Sequence, residues 1–182
     1  MKFCSSCASP VTLTVPPADN RPRFVCLSCG AIHYQNPRIV TGTVCTWGER
    51  ILLCKRAIEP RYGCWTLPAG FMEIGETVAD GAIRETTEEA GARIELQGLY
   101  SMIDVVHAEQ VHVFYRAHMT GPELDPGTES LEARLFDEEE IPWDELAFKT
   151  VISTLRWFVE DRRQGRFLLH TDSIVHQPKP RS

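Results

Sequence analysis

Residues 70–92 read GFMEIGETVADGAIRETTEEAGA, and the rest of the chain is organised around them. A strand-like run, Trp65-Thr66-Leu67-Pro68-Ala69, leads into Gly70. The chain then turns through Gly75, enters a helix near Thr77 and leaves it at Gly91. Inside that helix Glu85, Glu88 and Glu89 stand at i, i+3 and i+4 and so share one face. Like charges this close repel. The pattern is either a solvated helix surface carrying a small penalty or a set of hard oxygen donors for Mg²⁺ or Mn²⁺.

The offsets favour the cation. Gly70 is followed by five residues, Glu76, seven residues, Arg84-Glu85-Thr86, one residue, Glu88-Glu89, one residue, and Gly91-Ala92. This spacing resembles the Nudix box, the signature of the Nudix hydrolases. One position departs: Thr86 stands where that family usually has a large aliphatic residue, which predicts weaker packing beneath the helix and no loss of chemistry. The resemblance covers about residues 38–160 and implies an α/β fold, an α/β/α sandwich on a mixed sheet. It also implies Mg²⁺- or Mn²⁺-dependent hydrolysis of a nucleoside diphosphate linked to another group. A diphosphate is anionic and repels hydroxide, so such a site needs cations and a carboxylate placed to take a proton from water. By the family pattern Glu85 and Glu89 bind metal, Glu88 is a further ligand or the base, and Arg84 holds the carboxylates by ion pairing. The carbonyl of Ala69 is a ligand in relatives with the same Ala-Gly-Phe sequence. Phe71 either stacks on the substrate's ring or packs in the core.

Ahead of this domain lie Cys4-x-x-Cys7 and, 18 residues on, Cys26-x-x-Cys29. Two such pairs make a zinc-ribbon pattern, since a two-residue gap lets both thiolates of a knuckle face one tetrahedral Zn²⁺. Val11 to Val15 alternates like a strand, Arg23-Phe24-Val25 leads into the second knuckle, and residues 16–20 supply the turn. So short a segment cannot bury enough area to fold alone, whereas a structural zinc supplies roughly 10–16 kcal/mol. Four cysteine ligands leave no open position for catalysis, so a structural role or homodimer formation is expected. The basic residues Lys2, Arg21, Arg23 and Arg38 leave a weaker nucleic-acid role open. The domains expected are a ribbon over residues 1–35, a catalytic domain over 36–175 and a disordered tail over 176–182.

The totals agree with this division. A chain of 182 residues suits one catalytic domain with a small appendage. Apolar content of 43% and charged content of 24% are ordinary for a globular chain, and no apolar run approaches the roughly 18 residues of a membrane span. The net charge of −6 argues against broad nucleic-acid binding. Seven cysteines behind an N-terminus that lacks a signal-peptide pattern point to the cytoplasm and a metal site in place of a disulfide framework.

Around the box, residues 33–37 read as a linker, and 39–45 with 51–56 as a strand hairpin. Residues 57–63 read as a loop offering Arg61 and Tyr62 as substrate contacts or plain surface. Strands are expected over 93–96, 99–106, 110–119 and 131–136, and a short one over 167–169. His107, His112 and His118 read as surface or packed side chains, and Cys45, Cys54 and Cys64 as packing residues. Phe148, Val151, Ile152, Leu155, Phe158 and Val159 mark an amphipathic helix closing at Gly165.

Beyond the box, Glu129 to Phe136 resembles a segment of the NADH pyrophosphatase branch, in which the glutamate matching Glu129 completes the metal site. That branch also carries a zinc ribbon. Its Ser-Gln-Pro-Trp-Pro-Phe run is replaced here by Ser101-Met102-Ile103-Asp104-Val105-Val106-His107, so NADH specificity does not carry over. The expected partner is therefore a small nucleotide substrate, ADP-ribose or FAD ahead of NADH, cleaved to two monophosphates. The rivals are a nucleoside-triphosphate house-cleaning or RNA-decapping enzyme, and a non-catalytic ligand sensor. The full set of box acids speaks against the sensor.

Overall fold

The computed structural model describes residues 1–175, and the chain divides into two compact units at Pro37/Arg38. The tail expected over 176–182 lies outside the described residues.

The N-terminal unit is a three-stranded antiparallel sheet of β1 (Val11–Thr14), β2 (Arg23–Cys26) and β3 (Ile32–His33), in that order. His33, expected to open a linker, instead closes this sheet by pairing with Phe24. Each cysteine pair forms the same knuckle: Ala8 N donates to Cys4 O at 3.0 Å and Gly30 N to Cys26 O at 2.9 Å. Ala8 and Gly30 both take left-handed φ, 59° and 75°. Among the described residues of this unit only Cys4, Pro16 and Cys26 are buried. There is no apolar core to hold it.

The second unit opens with the hairpin β4 (Arg38–Trp47) and β5 (Arg50–Arg56). Next come β6 (Trp65–Thr66) and β7 (Ala69–Phe71), two short strands where one run was expected. Pro68 between them has no N–H to extend a ladder, though its carbonyl accepts from Thr43 N at 3.1 Å. Helix α1 (Val78–Ala90) starts on a Thr77/Asp80 capping box and stops at Gly91, whose φ of 66° relieves its last turn. β8 (Ile94–Val105), β9 (Gln110–Met119) and β10 (Ser130–Phe136) follow, then α2 (Lys149–Gln164) and β11 (His170–Ile174).

The sheet runs β10-β5-β4-β9-β8-β11, with β6 on β5 and β7 on β4. It is mixed: β4/β9 and β8/β11 are parallel, the other pairs antiparallel. Alternation along the central strands separates two cores. Val44, Ile51 and Leu53 pack with Val151, Leu155 and Phe158 of α2. Their neighbours Cys45, Leu52 and Cys54 pack with Ala90 and Ala92 at the end of α1. The helices therefore cover opposite faces, completing the sandwich.

Two expectations shift. The strands read as 93–96 and 99–106 are one, β8, because Gly98 at φ 143° absorbs the irregularities as a bulge and not as a break. The last strand falls at 170–174 and not at 167–169. Residues 166–169 are used in leaving α2, with Arg166 N on Asp161 O and Leu168 N on the Asp161 carboxylate. No helix among the described residues is long and apolar enough to cross a membrane.

Candidate active site

The site is set by how closely α1 lies against the strand preceding it. β7 pairs with β4, placing Gly70 opposite Thr41 and Ala69 opposite Gly42. Thr41 Oγ1 donates to Val78 O at 2.8 Å, and the hydroxyls of Thr43 and Thr86 meet at 2.7 Å. These contacts tie α1 down along β4. Thr86 packs here through its hydroxyl as well as its methyl, so the departure from an aliphatic residue is matched by a threonine on the opposing strand. A Cβ on Gly70 would overlap the Glu85 carboxylate, so only glycine lets that carboxylate rest on the β7 backbone.

Arg84 binds three acids at once. It donates from Nε and Nη2 to the Glu76 carboxylate at 3.0 and 2.8 Å. Nη1 reaches Glu85 Oε1 at 2.7 Å and Glu88 Oε2 at 3.0 Å, and Nη2 also reaches the Phe71 carbonyl at 3.1 Å. Arg84 holds the Glu76 carboxyl down at about 2, with the Glu73 amide adding to that effect. Glu76 thus fixes the arginine, and the arginine aims Glu85 and Glu88.

Glu89 is only 6% exposed and accepts the Ala69 N–H at 3.1 Å. Burial pushes its carboxyl up to about 8, with the charges of Glu85 and Glu129 adding to the effect. Burial likewise raises Glu85, aided by Glu88 and Glu129. Glu129 arrives on a loop fastened to the end of α1 by Asp125 N on Ala90 O at 2.8 Å, while its own carbonyl accepts Ala57 N at 2.8 Å. Glu85 and Glu89, whose carboxyls burial and neighbouring acids push up, together with the exposed Glu129 form a donor set whose mutual repulsion a hard dication would relieve, so these residues fit Mg²⁺ or Mn²⁺.

Ala69, Phe71, Arg84, Glu85, Glu88, Glu89 and Glu129 all line one cleft of about 890 Å³. Phe71 is 45% exposed, and Arg38 lies over its ring at 4.4 Å from the centroid. Arg61 and Tyr62 do not line this cleft. Reading the sequence missed other residues. Val40 pairs with both Phe71 and His112, so these three share one face of the sheet at the cleft floor. His112 Nε2 lies 2.9 Å from Gln110 Oε1, an atom that can only accept, so Nε2 donates and Nδ1 accepts the Thr150 hydroxyl at 3.0 Å. Burial lowers the His112 pKa to about 4, keeping the ring neutral. Arg56 also lines the cleft. Its one sequence signal was a charge ending an apolar strand; for His112 and Gln110 no signal existed without the parallel β4/β9 register.

The four cysteines of the paired motifs belong to the N-terminal unit. Their sulfurs are mutually within 4.8 Å, with Cys4 to Cys29 at 3.7 Å and Cys7 to Cys26 at 3.5 Å. Four sulfurs at about 2.3 Å from one zinc stand about 3.8 Å apart, so the cluster fits Zn²⁺. His33 Nε2 is 3.3 Å from Cys4 Sγ, and Ser6 N donates to the same sulfur at 3.4 Å. The Ser6 amide leads the effects that bring the Cys4 thiol down to about 5.

Comparison with known proteins extends this picture. Residues 2–35 match the family model described as Nudix N-terminal, a zinc ribbon, and residues 36–158 match the NUDIX domain. A crystal structure of a NUDIX hydrolase from Nitrosomonas europaea superposes with a TM-score of 0.93 at 47% identity, covering 96% of this chain and 99% of that one. An ADP-ribose pyrophosphatase of Methanocaldococcus jannaschii is 33% identical over 131 residues, 68% of this chain and 76% of its own length. A NAD-capped RNA hydrolase NudC of Stutzerimonas stutzeri is 30% identical over 173 residues, 91% of this chain; the match spans 58% of that protein.

Proposed function

The chain belongs to the Nudix hydrolases, and from that premise we propose that it is a pyrophosphohydrolase cleaving the diphosphate of a nucleoside diphosphate joined to a second group. ADP-ribose and FAD stand ahead of NADH as substrates. The observation that carries this reading is the convergence of Glu85, Glu89 and Glu129 on one cleft of about 890 Å³ that Phe71 also lines. That volume accommodates a dinucleotide-sized ligand. The similarity to an ADP-ribose pyrophosphatase adds support.

Glu85, Glu89, Glu129 and the Ala69 carbonyl would hold Mg²⁺ or Mn²⁺. The bound cation offsets the diphosphate's charge and lowers the pKa of an attacking water. Within the chain, Arg84 anchors Glu85 and Glu88 and leaves Glu88 exposed to the cleft, 59% open at its side chain. Glu88 is then placed to accept the water's proton as oxygen attacks phosphorus. The bridging P–O bond breaks, and both halves leave as monophosphates. Phe71, with Arg38 on one face of its ring, offers the substrate's base or ring a stacking surface. In the N-terminal unit, zinc on Cys4, Cys7, Cys26 and Cys29 replaces the absent core as the source of stability.

The deciding measurement is product release with Mg²⁺ or Mn²⁺ from ADP-ribose, FAD, NADH, diadenosine polyphosphates, nucleoside triphosphates and, given the NudC relative, NAD-capped RNA. Two monophosphates from ADP-ribose or FAD, abolished in Glu89→Gln with the fold retained, support the proposal. Cleavage confined to triphosphates, or of nothing, overturns it.

A further inference from the structure

A row of three polar side chains enters the cleft from the side away from the box. Thr41 and Thr43 turn their hydroxyls to α1, which carries the box carboxylates. Val40 alternates with them and faces the opposite way, as do its strand partners Phe71 and His112. Gln110 opens β9 two residues before His112 and faces the same way. Thr150, in the first turn of α2, meets His112 on that face. Phe71, Gln110 and His112 therefore line the cleft from the α2 side, and Glu85, Glu88 and Glu89 from the α1 side.

The row has one hydrogen-bonding sense. Thr150 is 2% exposed, so its hydroxyl proton needs an acceptor, and among the described residues the hydroxyl's one partner is His112 Nδ1 at 3.0 Å. The neutral ring then carries its proton on Nε2, which fixes the Gln110 atom 2.9 Å away as Oε1. With its oxygen turned inward, Gln110 presents its Nε2 hydrogens away from His112, and among the described residues no group accepts them. Gln110 is half-buried and lines the cleft. A side-chain amide held at one end and open at the other is a preorganised donor. Packing accounts for the histidine and its two partners; it leaves the spare amide hydrogens unexplained.

We infer that Gln110 recognises the ring of the substrate, donating from Nε2 to an acceptor on the ring's edge, and that His112 is a positioning residue that turns the amide. The inference rests on the diphosphate reading above and deepens it. The diphosphate goes with the cation to the carboxylates on the α1 side, which leaves the ring to Phe71 and Gln110 on the α2 side. Adenine offers ring nitrogens to such a donor, and a flavin offers carbonyl oxygens. A ring whose facing edge carries N–H groups alone is refused, because its hydrogens meet those of the amide.

The test is binding of the methylene-bridged analogues of ADP-ribose and FAD, which are not cleaved at that bridge, in Mg²⁺ by calorimetry, with Mn²⁺ affinity followed by electron paramagnetic resonance. Gln110→Leu should weaken binding of the better-bound analogue about 5- to 30-fold and leave Mn²⁺ affinity unchanged. His112→Phe should weaken it too, yet add less than about twofold on top of Gln110→Leu, since it acts through the amide. Analogue affinity within about twofold of the wild type in Gln110→Leu, or no binding by the wild type, overturns the inference. Additive losses overturn the part given to His112, since a merely structural histidine would act independently of the amide. If Gln110→Leu does not fold, Gln110→Met decides on the same criteria, being unbranched and equally without a donor. A wild type that cleaves no diphosphate but loses analogue binding on Gln110→Leu sinks the hydrolytic reading alone. Cleavage of ADP-ribose or FAD with an unchanged KM in Gln110→Leu sinks the role of Gln110 alone.

Discussion

The hydroxyls of Thr43 and Thr86 share a hydrogen bond of 2.7 Å beneath α1, and Thr86 donates its own proton back to the Ala82 carbonyl at 2.8 Å. Thr43 is then the donor to Thr86, and both residues are fully buried. Thr86→Val should leave the Thr43 hydroxyl without its acceptor and cost about 1–3 kcal/mol in denaturant unfolding. The double variant with Thr43→Val should regain most of that loss, because a pair of buried methyls needs no partner. Additive losses in the cycle would show that the two hydroxyls are not coupled.

Gly70 and Glu85 are coupled by space and not by charge. Gly70→Ala places a methyl group where the Glu85 carboxylate lies, so the carboxylate must move. The expected result is Mn²⁺ affinity and turnover both lower by about tenfold or more, with thermal stability little changed. Full activity in Gly70→Ala would mean that Glu85 does not act from its resting position.

His112 gives the folded state a pH dependence. Burial holds its folded pKa at about 4, below the ordinary 6.5, so the unfolded chain takes up the proton first. Stability carried by the neutral ring is complete above about pH 6.5 and should fall, by up to about 3 kcal/mol, as pH drops toward 4. Unfolding curves at pH 7, 5.5 and 4 would show it. His112→Gln should flatten that interval; an unchanged slope would assign the acid sensitivity to other groups.

The N-terminal unit should depend on its metal. Elemental analysis should find one zinc per chain, and Cys4→Ser or chelation should release it. Amide exchange in β1–β3 should then rise to the unfolded rate while the amides of β4 and β9 stay protected. A metal-free protein with protected ribbon amides would remove zinc from the account.

Local chemistry was legible before the structure, and distant pairing was not. Thr77 and Gly91 bound α1 in the sequence as they do in the fold, because capping depends on neighbours within a few residues. The two cysteine pairs were equally plain. From sequence alone Gly98 reads equally as a break or as a bulge, since a glycine in a strand looks the same in either case until the partner strand is known. The last strand was displaced because its position depends on Asp161, which gathers the Tyr100 hydroxyl, the Leu168 amide and the His170 ring. Arg56 lies far in sequence from Gln110 and His112, and only the order of the sheet brings β5 and β9 to the same cleft as the box.

The 121–128 loop is bolted to α1 at two backbone points, the Asp125 amide on Ala90 and Gly127 packed against the Glu88 carbonyl. In engineering language the box and Glu129 are two fixed jaws of one clamp, pinned together at Asp125 and Gly127. Residues inserted before the pin should bulge into solvent and leave Glu129 in place. A single residue inserted between Gly127 and Glu129 should move it, which makes those positions the handle for retuning the site without touching the box.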